Sequence, residues 1–294
     1  MIAGASEEVR VPVAERSART SRDGAGPGVK PDDRQDAASK PWTPSAAAGV
    51  AGGPWLDRLK RLAFQALRVD PIRARVARAR YIYYVKLLKR LRTFGANSDG
   101  ITENTIAHNV KGMVDLTVTR SNLLIRPLSV IQTLTAESKI LSIGPRTEGE
   151  IFNLMAHGFS PDHIRGLDLI SYSPFIDVGN MHDMPYADSS WDAVIMGWVI
   201  SYSSEQRRAA MEVVRVTRPG GIVAVGLEWY PLKVRQQILD GLGYELGHTS
   251  EPRSTDEVLA LFGDHVDRVY VRHDPVENLD RVGEIFVIFS IKKK

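Results

Sequence analysis

From residue 139 onward, short apolar runs alternate with longer amphipathic stretches. Residues 140–143, 164–168, 191–196, 222–226, 266–271 and 284–291 have the length and apolar character of strands. Residues 148–157, 204–216, 232–242 and 255–262 have helical spacing between them. Gly158 stops the first of these helices, and Ser254 or Thr255 can cap the last through a side-chain oxygen. Residues 218–221, Arg-Pro-Gly-Gly, read as a turn into the strand at 222. Repeated strand–helix alternation predicts an α/β domain with a doubly wound, mostly parallel sheet covered on both faces.

One interval breaks the pattern. Only six residues separate Asp168 from Phe175. A parallel neighbour normally needs a crossover of about a dozen residues or more. The helix after the second strand is therefore missing, and residues 175–178 should form an extended loop or a very short edge strand. An edge left that way needs a cover, and helices preceding residue 139 are available for it.

Before residue 139 the pattern is helical rather than alternating. Residues 55–67 place apolar side chains at helical intervals. Pro71 suits the first turn of a second helix. A turn is expected at 97–100 and a helix over 129–138, following Pro127. Residues 1–53 hold almost no large apolar side chains, so burial there cannot offset ordering entropy and disorder is expected. Three segments result: a disordered 1–53, a basic helical extension over 54–138, and the α/β domain over 139–294.

The net charge of +3 over 294 residues says little, but its distribution says more. Twelve Lys/Arg between 57 and 92 face only Asp57 and Asp70. Residues 55–94 are thus either the solvated face of helices packed on the domain or a patch for anionic lipid, nucleic acid or a phosphorylated substrate. The absence of cysteine excludes disulfides, Cys-based zinc sites and thiol catalysis. The histidines lack metal-ligand spacing, so no metal is expected. Neither a membrane-spanning run nor the apolar core of a signal peptide is present, which fits a soluble, cytoplasmic protein.

The chemistry concentrates where strands end. Residues 140–144, Ile-Leu-Ser-Ile-Gly, close a strand on a glycine, where backbone can approach a ligand and the next helix offers free N–H groups. Asp168 ends the next strand 24 positions later, near the ~20 expected of a carboxylate that accepts ribose hydroxyls.

Four pieces together resemble class I S-adenosylmethionine-dependent methyltransferases of the small-molecule group. They are Ile-Leu-Ser-Ile-Gly144, Gly166-Leu-Asp168, the stretch 180–192 with Met184-Pro-Tyr186 and Trp191-Asp192, and Arg215-Val-Thr-Arg-Pro-Gly-Gly221. The resemblance implies a Rossmann-like methyltransferase fold whose last strand is antiparallel, and S-adenosylmethionine as cofactor. It implies that Gly144 lets backbone approach the methionyl part and Asp168 holds the ribose. Asn180 and Met181 would border the adenine, while Gly197 and Trp198 would face the sulfonium.

The chain departs from the family in its first loop. Ser142 stands where an acidic residue is usual, and Arg146 and Glu148 take glycine positions. Either Arg146 pairs with the cofactor's carboxylate and Glu148 faces its ammonium, or the site has decayed and Glu148 is a favourable first-turn helix residue. Asn180 also replaces a common acid, with a carbonyl oxygen still able to accept from the adenine amino group.

His182, Tyr202 and Glu228 are the candidates for a catalytic base or for facing an acceptor, each near a strand tip on the ligand side. Trp229 and Tyr230 could wall the acceptor pocket or simply pack. The resulting expectation is methyl transfer to a small-molecule or glycan-linked acceptor. The alternative is a non-catalytic binding or scaffold protein on the same fold. A nicotinamide enzyme is disfavoured because Gly-x-Gly-x-x-Gly is absent.

Overall fold

The computed structural model describes residues 65–95, 119–231, 252–276 and 281–293, with 58, 59, 62, 63, 110, 113 and 234. The expected disorder of 1–53, the turn at 97–100 and nearly all of the helix at 232–242 lie outside the described residues. Nine strands are described: β1 (Arg92–Thr93), β2 (Ile140–Ile143), β3 (Ile164–Asp168), β4 (Ile170–Ser171), β5 (Ile176–Val178), β6 (Trp191–Gly197), β7 (Thr217–Trp229), β8 (Val266–His273) and β9 (Gly283–Ile291). The α-helices are α1 (Asp70–Tyr81), α2 (Asn122–Ser129), α3 (Glu148–Ala156), α4 (Gln206–Val216) and α5 (Thr255–Phe262).

Seven strands form one sheet in the order β5-β3-β2-β6-β7-β9-β8. The run β5 to β7 is parallel. Strand β9 enters antiparallel between β7 and β8. This is the doubly wound, mostly parallel sheet expected from the alternation, with the antiparallel last strand. Each face carries its own core. Leu141, Ile143, Val194 and Met196 point toward α4 and α5, where they join Val213 and Phe262. Ile140, Ala193 and Ile195 point the other way, where they join Ile151 and Leu154 of α3. Period-two alternation along each strand sorts the residues between the two cores.

The turn Arg218–Gly221 lies within β7 rather than before it. Thr217 pairs with Trp191 and Ile222 with Ala193, so four residues bulge out of the ladder. Gly220 has φ of 73° and serves this excursion. Arg218 meets Asp192 at 2.6 Å, which ties the bulge to the neighbouring strand.

The missing helix is confirmed, and β5 is a three-residue edge strand parallel to β3. The connection is too short for a crossover helix, so the face beside β3 and β5 lacks its usual cover. The N-terminal segment supplies one. Leu67 and Ala77 are buried in the same cluster as Ile151, Ile164 and Ile176. Thr93 and Arg92 of β1 pair with Ile170 and Ser171 of β4. Tyr81 and Tyr84 pack on Tyr172, the first edge-on with centroids 5.7 Å apart. Pro71 stands in the first turn of α1, as its fixed φ suits.

The helix expected over 129–138 is not there. Its place is taken by α2, seven residues earlier, with Pro127 inside it. Burying Leu124, Ile125 and Leu128 completely contributes roughly 5–9 kcal/mol. That exceeds the cost of about 3 kcal/mol for an interior proline. Past Ser129 the chain turns instead. Thr135 N donates to Ser138 Oγ at 2.9 Å and Ser138 N to Thr135 O at 3.1 Å. Such side-chain bonds compete with helix formation.

An ion pair ties α1 to α3. Arg80 donates through Nε (2.5 Å) and Nη2 (2.8 Å) to the two oxygens of Glu148, whose side chain is fully buried. Ser173 Oγ donates to the same carboxylate at 2.6 Å. The guanidinium also lies 5.7 Å from the ring centres of Phe152 and Phe175. Replacing Arg80 by Ala leaves a buried carboxylate without its cation, which should cost about 3 kcal/mol in urea unfolding. Adding Glu148→Gln to that variant should restore most of the loss.

Candidate cofactor site

The parallel strands end together. Ile143 lies beside Leu167 on one side and Met196 on the other, so Gly144, Asp168 and Gly197 meet at one edge of the sheet. The chain leaves β2 toward β3 in one direction and reaches β6 in the other. This reversal of strand order opens a crevice at the strand tips, where α/β sheets bind ligands. Gly144 has φ of 72°, and its N–H donates to Leu167 O at 2.8 Å. A side chain there would collide with Val199. Glycine is required by both conformation and space.

Asp168 is buried at the tip of β3. Its Oδ2 accepts from Arg146 N at 2.8 Å and its Oδ1 from Ile170 N at 3.2 Å. A carboxylate has about four acceptor positions, so each oxygen keeps capacity for a hydroxyl donor. Burial pushes the carboxyl up to about 6, against the lowering effect of the two backbone N–H groups. Arg146 pays for its place with φ of 54°, a left-handed conformation that costs a non-glycine residue about 1–2 kcal/mol.

The two glutamates of the first α3 turn divide their roles. Glu148 is committed to Arg80 and Ser173 and is turned away from the strand tips. Sequence reasoning had no signal for this buried ion pair between Glu148 and the N-terminal helix. Glu150 reaches the strand tips instead. Thr147 caps α3 by accepting from Gly149 N. The reciprocal bond from Glu150 to the cap is not made. Glu150 accepts from Ser142 Oγ, and its Oε2 lies 3.4 Å from where a side chain on Gly197 would begin. A carboxylate thus stands beside Ser142, where the family resemblance expects one, but α3 provides it. Burial pushes Glu150 up to about 6, with the Ser142 hydroxyl acting in the opposite direction. The only trace of this in the sequence is an acid at the position of the capping box, which by itself reads as a helix cap.

Residues 180–186 form a braced loop. Asn180 is buried, and its Oδ1 accepts from His182 N at 3.0 Å and lies 2.7 Å from His182 Nδ1. The ring Nδ1 must then donate, and Nε2 lies 2.6 Å from Ser203 Oγ. His182 has both nitrogens engaged, which removes it as a free base. Met181 packs against the core. Arg215 of α4 donates to Met184 O (2.9 Å) and Tyr186 O (2.7 Å), and Met184 N donates to Glu212 at 2.8 Å. Two of the four sequence pieces are thereby joined by hydrogen bonds.

Past β6 the chain turns sharply at Trp198, with φ of 59° and its N–H donated to Gly226 O at 2.8 Å. The Trp198 ring is buried with Leu124 and Ala224 and lies under the guanidinium of Arg120 at 5.1 Å. Its indole edge belongs to the packing beside β7. Gly197 stays at the strand tip. Tyr202 is half-buried in the turn Ile200–Tyr202. Glu228 pairs with Arg120 at 2.5 Å and accepts from the Tyr230 hydroxyl.

Residues 160–225 match the family model described as "Methyltransferase domain". A demethylmenaquinone methyltransferase from Symbiobacterium thermophilum is 35% identical over 57 residues, 18% of this chain. The aligned stretch spans 23% of that relative. Among solved structures, N-methyltransferase NodS from Bradyrhizobium japonicum, in complex with S-adenosylhomocysteine, has a TM-score of 0.45. It is 14% identical, over 65% of this chain and all of the other. A geranyl diphosphate methyltransferase in complex with S-adenosylmethionine has a TM-score of 0.43 and 13% identity, covering 66% and 92% of the two chains. The doubly wound, mostly parallel sheet stands on this chain's own strand order.

The raised Glu150 carboxyl has a measurable consequence. Its acidity is weaker in the fold than in the unfolded chain, so the folded state holds the proton more tightly. This contribution makes stability fall as pH rises from about 4.5 to about 6. The loss is at most about 2 kcal/mol. Glu150→Gln should therefore be more stable than the parent at pH 8 and equal to it near pH 4, in denaturant titrations at the two pH values.

Proposed function

We propose that the chain is an S-adenosylmethionine-dependent methyltransferase acting on a small-molecule or glycan-linked acceptor. The observation that carries this reading is the Asp168 carboxylate, buried at the tip of β3 on the strand next to Gly144, with acceptor capacity left on both oxygens. Asp168 holds the ribose hydroxyls, and Gly144 lets backbone approach the methionyl part. Arg146 pairs with the carboxylate of the methionyl group. Glu150 takes its ammonium, in the role that Glu148 cannot fill. Asn180, Met181 and Gly197 border the rest. The strain at Arg146 supports its part: a glycine would occupy that backbone without cost, so the side chain is the reason for the residue.

S-adenosylmethionine supplies a methyl group activated on a sulfonium. The chain holds and orients the reactants, from which much of the acceleration of such a transfer can come. No base is assigned: both ring nitrogens of His182 are engaged, and Glu228 is paired with Arg120 and the Tyr230 hydroxyl. Glu228, which keeps acceptor capacity as Asp168 does, and Tyr202 are the remaining candidates to face an acceptor.

Titrating S-adenosylhomocysteine calorimetrically into the full chain tests the reading. Asp168→Ala should weaken binding by about 100-fold, the effect of losing two charge-assisted bonds. Affinity should fall as pH drops below about 6, since only the ionised Asp168 accepts from both hydroxyls. Arg146→Gly should cost about tenfold in affinity while leaving stability equal or up to about 1 kcal/mol higher. A folded parent protein that binds nothing would leave the scaffold reading in its place.

A further inference from the structure

The first described helix has two unlike faces. Its inner face, with Arg73, Ala77 and Arg80, packs into the domain or binds Glu148. Its outer face continues through the turn Ile82–Leu87 and carries Ile72, Arg75, Arg78, Ile82, Lys86 and Leu87, all exposed. Ile72, Arg75, Arg78, Ile82 and Lys86 recur at intervals of three or four residues and so lie along one side, with Leu87 next to Lys86. Leu87 is 69% exposed and, in the segment before the helix, Leu62 is 61% exposed. Among the described residues from 65 to 93, Asp70 is the only acid, and it is paired with Arg73 at 2.7 Å. An ordinary solvated helix face mixes charges of both signs. This one pairs bases with large aliphatic side chains and has no acid.

We propose that this face lays the protein on the surface of an anionic phospholipid bilayer. Its charge matches the headgroups. Its aliphatic side chains can enter the boundary between headgroups and acyl chains, where a basic amphipathic helix lies with its apolar residues immersed. A nucleic acid would reward the bases alone, because phosphates offer nothing to Ile82 or Leu87. Tyr83, half exposed beside them, has the amphipathic ring favoured at such boundaries. No helix among the described residues is long and apolar enough to cross a membrane, so contact is with one surface. The inference stands independently of the cofactor assignment.

The test is flotation of the full chain with vesicles of phosphatidylcholine alone or mixed with phosphatidylglycerol. The protein should float with the mixed vesicles and not with the neutral ones. Added salt should weaken the association, as charge screening requires. Ile82→Ser with Leu87→Ser, and separately Arg75→Gln with Arg78→Gln, should each lower vesicle affinity about tenfold or more. Because all four side chains are exposed, the variants should keep the parent's unfolding midpoint by circular dichroism. Failure of the folded parent to float with anionic vesicles would overturn the proposal. So would flotation that is indifferent to the Ile82/Leu87 pair, or a duplex oligonucleotide that displaces the vesicles and binds both forms equally.

Discussion

The short connection after Asp168 is the constraint from which much of this molecule follows. With too few residues for a crossover helix, β5 is reduced to three residues and one face of the sheet beside it has no cover of its own. The N-terminal helix supplies that cover, and Arg80 fixes it in place through Glu148. A buried carboxylate and its cation are costly to desolvate, so the pair adds less net stability than its geometry suggests. Its effect is positional. Once formed, neither partner can be withdrawn cheaply, and the extension is bound to the first turn of α3.

That commitment reshapes the candidate site. Glu148 stands where the family has a glycine, and a carboxylate there could have faced the ligand; the ion pair turns it away. Glu150, one residue beyond the next glycine, points to the strand tips and meets Ser142. A helix-capping acid has thus become a buried acid beside Asp168's strand, and burial raises both carboxyls to about 6. Two groups held at a cost to the fold, together with the left-handed backbone at Arg146 and Trp198, cluster at one edge of the sheet. Such local costs persist where the surrounding structure imposes them and are characteristic of functional sites.

The remaining walls are held by longer-range bonds. Arg215 reaches from α4 to the carbonyls of Met184 and Tyr186, and Asp192 is shared between Lys139 N and Arg218. The sequence pieces that support the family resemblance at 180–192 and 215–221 are therefore one mechanical unit. A loop stitched in this way can present Asn180 and Met181 without a helix or strand beneath them.

The pattern of apolar runs was enough to place β2, β3, β6, β8, β9, α3 and α5 within a residue or two, because strand and helix periods are local properties of the chain. It also showed that a helix was missing, since counting residues between Asp168 and Phe175 is a geometric test of reach. The position of α2 was not legible: Pro127 looks like a helix start, and only the burial of Leu124, Ile125 and Leu128 against the sheet outweighs its cost. The division of labour between Glu148 and Glu150 was equally hidden. It depends on an arginine 68 residues away and a serine on the neighbouring strand. Periodicity and turn chemistry are written in neighbouring residues. Which carboxylate meets which partner is decided only when distant segments are packed together, because the energies that choose are those of desolvation and pairing.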